Sequence, residues 1–341
     1  MQIQQTNRGA KKIVSNNERI TGRKKIKLIY VVGEARSGST ILGLILGNHE
    51  KVQNVGELWT FLEKETALKT RRTRTCSCRM SIDECHFWVG VKRRFLDYTG
   101  EETLNRSAYI QRKNERYGEI WKEPLGLNSS ELRERYYRRA CFLFRAIEDI
   151  SRKEWILDTS KGIKRAFLMN SCPDVDAHYI HLIKDPRGIL YSAQKSYSKH
   201  LRRLRERGVP LHKRILTYFN PRAKVLSPPL FLIRWIIKNL ITGRLKYGTR
   251  NYCKINYEDL VSNPDAVLGK LERFLDLDLK DIAENLKQGK VFNSGHMISG
   301  NHRVYLDRPI KLFPDFKWKR ELNKGYLLFY YLLYPLCRLA R

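Results

Sequence analysis

The chain has 341 residues, 42% of them hydrophobic, with 66 Lys and Arg against 35 Asp and Glu, a formal net charge of +31. That length takes one large α/β domain with insertions or two domains, and it carries enough apolar residues for a sizeable core. The charge fits either a plain soluble basic protein or one with an anionic partner, and without aromatic–basic repeats or zinc-finger spacing no nucleic acid is expected.

Residues 1–25 carry seven Lys or Arg and one acid, with no apolar segment. They read as a disordered basic tail, not a secretory signal. No run of 18 apolar residues follows anywhere, so no membrane span is expected and the chain is expected in the cytoplasm. Residues 26–32 are crowded with Ile, Leu, Val and Tyr, as in a parallel strand covered on both faces. Gly33 and Gly38 then stand five apart, followed by Ser39 and Thr40 and a helix to about Gly47. This is a phosphate loop of the form G-x-x-x-x-G-x-[ST], whose backbone N–H groups and helix N-terminus face an anion. The usual lysine after the second glycine is Ser39, and the nearest cation is Arg36. A triphosphate-cleaving role is weakened accordingly.

A short apolar segment, Val55 to Trp59, carries one acid, Glu57. Cys76, Cys78, Cys85 and His86 follow. They could ligate zinc, but their spacing is that of no known finger, and the favoured reading is a loop packed by its thiols and Trp88 or a local disulfide. No metal is expected. Residues 100–150 are mainly helical, with Leu132, Tyr136, Leu143, Ile147 and Ile150 on one face of a helix from Glu131 to Ile150. This helical insertion, about 65–150, is placed to cover an acceptor.

Trp155 to Leu157 is a strand leading into Asp158-Thr-Ser-Lys161, and Val175 to Ile183 is another leading into Lys184-Asp-Pro-Arg187. Asp185 and Pro186 then cap a helix to about 198. Residues 200–224 are basic and partly loop. An apolar helix at 231–240 is interrupted by Arg234 and Lys238. Tyr252 to Asn256 is a strand, and 264–275 an amphipathic helix. Strands alternating with helices define the α/β class: a P-loop-like doubly wound parallel sheet flanked by helices, with helical insertions. Ligands of such sheets sit at the carboxyl ends of strands. The phosphate loop and the polar corners at 158–161 and 184–187 all follow strand ends.

Arg36-Ser-Gly-Ser-Thr40 after its strand resembles the 5′-phosphosulfate loop of sulfotransferases that use 3′-phosphoadenosine 5′-phosphosulfate. Lys184-Asp-Pro-Arg187 with Ser192 resembles their 3′-phosphate element. Tyr257-Glu-Asp-Leu260 with Asn263-Pro264 resembles a later family segment. His296, Gly300-Asn301 and Arg303 resemble the late H-x-x-x-G-N-x-x-R element of the bacterial type, and Cys76, Cys78, Cys85 and Trp88 its C-x-C…C-x-F-W segment. The resemblance covers 26–320, leaving 321–341 as a C-terminal amphipathic helix. It implies sulfuryl transfer from that donor to an acceptor hydroxyl, by in-line attack and without a metal. Arg36, Ser37, Gly38, Ser39 and Thr40 would hold the 5′-phosphate. Lys184, Ser192 and Arg303 would hold the 3′-phosphate. Glu57 would be the base, with Asp158 and His296 as rivals, and Lys161 would contact the sulfonate. Lys184 stands where arginine is usual and lacks the bidentate fork; Arg303 or Arg187 would supply it. The acceptor stays open. The runs 228–242 and 326–337 are core helices or, with the positive charge, a peripheral contact with an anionic membrane. The competing readings are a P-loop nucleotide kinase or NTPase, and a basic membrane- or nucleic-acid-binding protein with a degenerate loop.

Overall fold

A computed structural model describes residues 23–63, 75–115, 130–221, 225–300, 309–310, 312 and 316–341. Residues 1–22 of the expected 1–25 basic tail, Asn301 and Arg303 lie outside them. Five strands, β1 (Ile26–Gly33), β2 (Val52–Gly56), β3 (Trp155–Lys161), β4 (Val175–Ile183) and β5 (Tyr252–Asn256), form one parallel sheet in the order β2-β3-β1-β4-β5. This is the expected architecture. Only helix-covered strands can be apolar on both faces, and seven of the eight residues of β1 are buried. The strands that carry the three polar corners, β3, β1 and β4, are adjacent in the sheet order.

The chain divides into two compact units. The first takes the described parts of 1–31, 40–179 and 280–310. In it, β2 pairs with β3 from Val52↔Trp155 to Asn54↔Leu157, then slips so that Gly56 opposes Asp158. The Asn54 side chain explains the slip: its Nδ2 donates to Gly43 O at 2.5 Å, while its Oδ1 accepts the Gly56 N–H at 3.0 Å. Such an irregularity bends a strand and re-aims the side chains that follow, here Glu57. Helices His86–Thr99, Asn105–Glu115 and Ser130–Ser151 occupy the described part of the predicted insertion. Phe87, Trp88, Val91, Phe95 and Tyr98 make the buried face of the first of them. Burying each such side chain contributes about 1.5–3 kcal/mol before entropy is counted. Tyr136, Leu143 and Ile147 are buried as predicted in Ser130–Ser151, whereas Ile150 reaches solvent at its end.

The second unit takes the described parts of 32–39, 180–279 and 311–341. Asp185 caps the helix Pro186–Glu206 by accepting the Arg187 N–H. The helix outruns its predicted end near 198 because no breaker intervenes before Gly208, which has φ 70°. Part of the expected loop after it is a further helix, Leu211–Phe219. Ile189, Leu190, Leu232 and Trp235 form the core, with Tyr330, Cys337 and Ala340 against it. The expected single C-terminal helix is two, Lys324–Leu332 and Tyr334–Ala340. Pro335 has no N–H to continue the first one.

Candidate functional site

In the second unit, β1 ends at Gly33 (φ 150°), where a Cβ would lie 2.4 Å from Leu182 O. Only glycine lets the chain leave β1 that close to β4. The loop that follows is held from below by Glu34. This carboxylate is 3% exposed, accepts the Ala35 N–H at 2.6 Å, and takes a bidentate fork from Arg234 with both N–O distances at 3.0 Å. Paired forks of this kind add geometric precision as well as energy. Neither residue was singled out from the sequence as part of a site. Arg234 looked like an interruption in an apolar helix; an acid inside the loop was the available signal.

Arg36 has φ 71°, a costly left-handed conformation for a residue with a side chain. Its guanidinium donates from Nη1 to Ser192 Oγ at 2.7 Å and Ser192 O at 3.1 Å, and from Nη2 to Ser196 Oγ at 2.6 Å. The loop cation and the helix serine are thus brought together. Desolvation and then the nearby Arg234 lower the Arg36 pKa, with Glu34 opposing; an arginine stays protonated at neutral pH nonetheless. Ser37 is 1% exposed and, among the described residues, its hydroxyl has no hydrogen-bond partner. An orphaned buried hydroxyl inside a glycine-bounded loop fits an anionic ligand. Gly38 (φ 95°) leaves room for the Tyr257 ring, which a Cβ would meet at 2.3 Å. Lys184 Nζ lies 4.3 Å from the centre of the same ring. Asp185 N–H donates to Glu258 Oε1 at 2.9 Å. The Tyr257-Glu258 segment therefore joins Gly38 to the Lys184 corner. Ser39 is buried.

Arg187 is committed elsewhere. It forks onto Asp185 at 3.0 and 2.7 Å and its guanidinium stacks 4.2 Å from the Trp318 ring centre. The helix cap uses the fork that was an option for the 3′-phosphate.

In the first unit, Lys161 (φ 64°) donates from Nζ to Glu57 Oε1 at 2.6 Å and to Thr159 O at 3.0 Å. The Glu57 N–H donates to Ile298 O at 2.8 Å. A Cβ on Gly300 (φ 74°) would lie 3.3 Å from Thr40 Oγ1 and 4.0 Å from Glu57 Oε1. Thr40, Glu57, Lys161 and Gly300 therefore form one polar group. Asp158, the rival base, is 0% exposed. It accepts from Ser160 N–H at 2.8 Å, from the Ser160 hydroxyl, and from Arg165 Nε at 3.2 Å. That carboxylate anchors the β3 corner. His296, the other rival, lies with Cys76, Cys78 and Cys85, and burial followed by His86 lowers its pKa. Of the two favoured readings of this segment, a thiol-packed loop or a local disulfide, the disulfide is not formed: Cys76, Cys78 and Cys85 are free thiols.

Residues 29–281 match the family described as Sulfotransferase family. The chain belongs to the sulfotransferase family. No curated protein matches it. Among solved structures it is similar to the sulfotransferase domain from the curacin biosynthetic pathway, at 16% identity over 92% of this chain and 99% of that one, TM-score 0.47. It is also similar to the sulfotransferase domain of the Synechococcus PCC 7002 olefin synthase, at 20% identity over 92% and 96%, TM-score 0.42. A third is sulfotransferase STF1 from Mycobacterium tuberculosis H37Rv, at 15% identity over 81% and 74%, TM-score 0.43.

Proposed function

We propose that this sulfotransferase moves the sulfuryl group from 3′-phosphoadenosine 5′-phosphosulfate to an acceptor hydroxyl. The observation that carries the reading is the Arg36–Ser192 pair, which unites the loop suited to a 5′-phosphate with the helix suited to a 3′-phosphate. The cosubstrate fits the residues present: the orphaned Ser37 hydroxyl and the loop N–H groups suit a phosphate, and Lys184 and Ser192 suit a second one. ATP has no 3′-phosphate to use that second group.

Sulfuryl transfer parallels phosphoryl transfer in needing in-line positioning and positive charge on the leaving oxygen. Arg36, with the N–H groups of residues 37–40, balances charge on the departing phosphate. Glu57 accepts the proton of the acceptor hydroxyl as its oxygen attacks sulfur, and Lys161 holds the carboxylate and faces the sulfonate. The engagement of Asp158 in the Arg165 network favours Glu57 over it. Thermal stabilisation tests the cosubstrate: adenosine 3′,5′-bisphosphate should raise Tm and ATP should not, and the reverse preference, or indifference to both, overturns the reading.

Peripheral contact with an anionic membrane belongs to the same proposal. The helix Leu211–Phe219 has no buried residue and exposes Leu211, Ile215, Leu216 and Phe219, with Lys213 and Arg214 beside them. Apolar residues amid cations suit an anionic interface. No helix among the described residues is long and apolar enough to cross a membrane.

A further inference from the structure

The fold gathers Cys76, Cys78, Cys85 and His296 so that their ligand atoms all lie within 4.8 Å of one another. The sequence offered His86 as the fourth group, being adjacent to Cys85. The structure brings His296 instead, from 211 residues away, and turns His86 edge-on against its ring. Cys85 Sγ lies 3.3 Å and Cys76 Sγ 3.7 Å from His296 Nδ1, and the Cys78 and Cys85 sulfurs are 3.6 Å apart. A tetrahedral zinc with Zn–S of about 2.3 Å and Zn–N of about 2.0–2.1 Å has S···S edges of about 3.8 Å and S···N edges of about 3.6 Å. The three separations lie within about 0.3 Å of those edges, and the other pairs lie within 4.8 Å. They are far from the ~2.05 Å of a disulfide.

The frame around the four groups is preformed. Cys76 O accepts the Arg79 N–H at 3.0 Å, closing a tight turn with Arg79 at φ 75°, and Cys76 N–H donates to Met80 O. That turn puts Cys76 and Cys78 on one loop. Ser77 between them ties the loop to the histidine segment. Its N–H donates to Met297 O at 2.9 Å, and its hydroxyl donates to Gly295 O at 2.7 Å and accepts the Met297 N–H at 2.8 Å. Cys85 is the N-cap of helix His86–Thr99, so the start of that helix fixes its position. Phe87 stacks on the His296 ring at 4.9 Å and 6°, and Trp88 Nε1 donates to His296 O at 2.8 Å. Both ring and backbone of the fourth ligand are therefore oriented.

We infer that Cys76, Cys78, Cys85 and His296 form a structural zinc site. Four protein ligands leave no open position, so the ion braces the fold and takes no part in chemistry. Tetrahedral S₃N donors select zinc over the hard cations. What it braces is specific. Ile298, two residues beyond His296, bridges Cys76 and also Gly56, and accepts the Glu57 N–H. The ion thus fixes the segment against which Glu57 is set.

The test is elemental analysis of the full chain, purified reduced and without chelator, together with cobalt exchange. About one zinc per chain is expected, and the cobalt protein should show intense tetrahedral d–d bands with thiolate-to-cobalt charge transfer. Cys76→Ser/Cys78→Ser should drop the zinc below about 0.2 per chain. That variant could lose metal merely by misfolding, so His296→Cys is the second: a four-thiolate site should keep the zinc and shift the cobalt bands to lower energy. Iron in place of zinc, zinc below about 0.1 per chain with no cobalt spectrum in protein that is folded by circular dichroism, or a Cys78–Cys85 disulfide in protein alkylated at lysis, each overturns the site.

Discussion

Arg36 Nη1 donates to Ser192 Oγ at 2.7 Å, so one guanidinium spans the end of β1 and the helix that follows β4. A charge-assisted hydrogen bond contributes about 1.5–3 kcal/mol. Arg36→Ala should therefore weaken adenosine 3′,5′-bisphosphate binding by about 10- to 100-fold, and Ser192→Ala by about 3- to 10-fold. Titration calorimetry reads both. Unchanged affinity in Arg36→Ala would remove the loop from the cosubstrate site.

The Glu34–Arg234 fork should prove structural and indirect. Arg234→Ala leaves a buried carboxylate with only the Ala35 N–H. Arg234 is itself 47% exposed, which moderates the loss. A drop of about 1–3 kcal/mol in unfolding free energy is expected, with weaker bisphosphate binding alongside. Arg234→Lys should restore stability in part but not the bidentate grip. Denaturant melts of the three proteins decide it.

Glu57→Gln separates catalysis from binding. It should cut product formation by about 10²- to 10⁴-fold while bisphosphate affinity holds within about twofold. The readout is the sulfonate-bearing product in an expressing strain, with Arg36→Ala as the inactive control. Activity near wild type would reassign the base.

His181 sets an acid limit on stability. Burial is the main force lowering its pKa to about 4; an Asn239 hydrogen bond opposes and two lysines assist. The ring joins Tyr252 OH at 2.6 Å to Asn239 Oδ1 at 2.8 Å, across β4, β5 and the helix Pro228–Gly243. The unfolded chain takes up the proton near pH 6.5 and the folded chain only near 4, so stability falls as pH drops from about 6.5 to 4 and then levels. His181→Gln should be less stable at pH 7.5 and show a flatter slope across that window. Parallel slopes in Tm against pH would rule the histidine out.

Vesicle flotation checks the membrane surface. Wild type should float with anionic vesicles and not with neutral ones, and Leu216→Glu/Phe219→Glu should reduce flotation several-fold without changing Tm. Equal flotation with both lipid types, or none, defeats the proposal.

Local chemistry made much of this legible. The limits of β4, β5 and Pro264–Leu275 match their sequence reading, because each is a dense apolar or amphipathic run closed by a cap, proline or polar turn. The loop glycines were legible for the same reason, as the motif names backbone needs. What a single sequence hides is pairing at long range. Nothing near Glu34 pointed to Arg234, 200 residues on. Nothing near Cys85 pointed to His296, so the adjacent His86 took its place in the reading. Asp158 reads from the sequence as a rival base at a strand end, and nothing near it announces the Arg165 and Ser160 contacts or the complete burial that engage it.

The Ile298 bridge has a second consequence. β2 is an edge strand, and its open N–H and C=O row invites another chain to pair. Ile298 occupies the last part of that row: its N–H donates to Val55 O at 3.1 Å and its carbonyl takes the Glu57 N–H. The contact that sets Glu57 is therefore also a guard against strand addition. Loosening residues 291–300 should make the protein self-associate, so that inactivation by that route is accompanied by concentration-dependent aggregates.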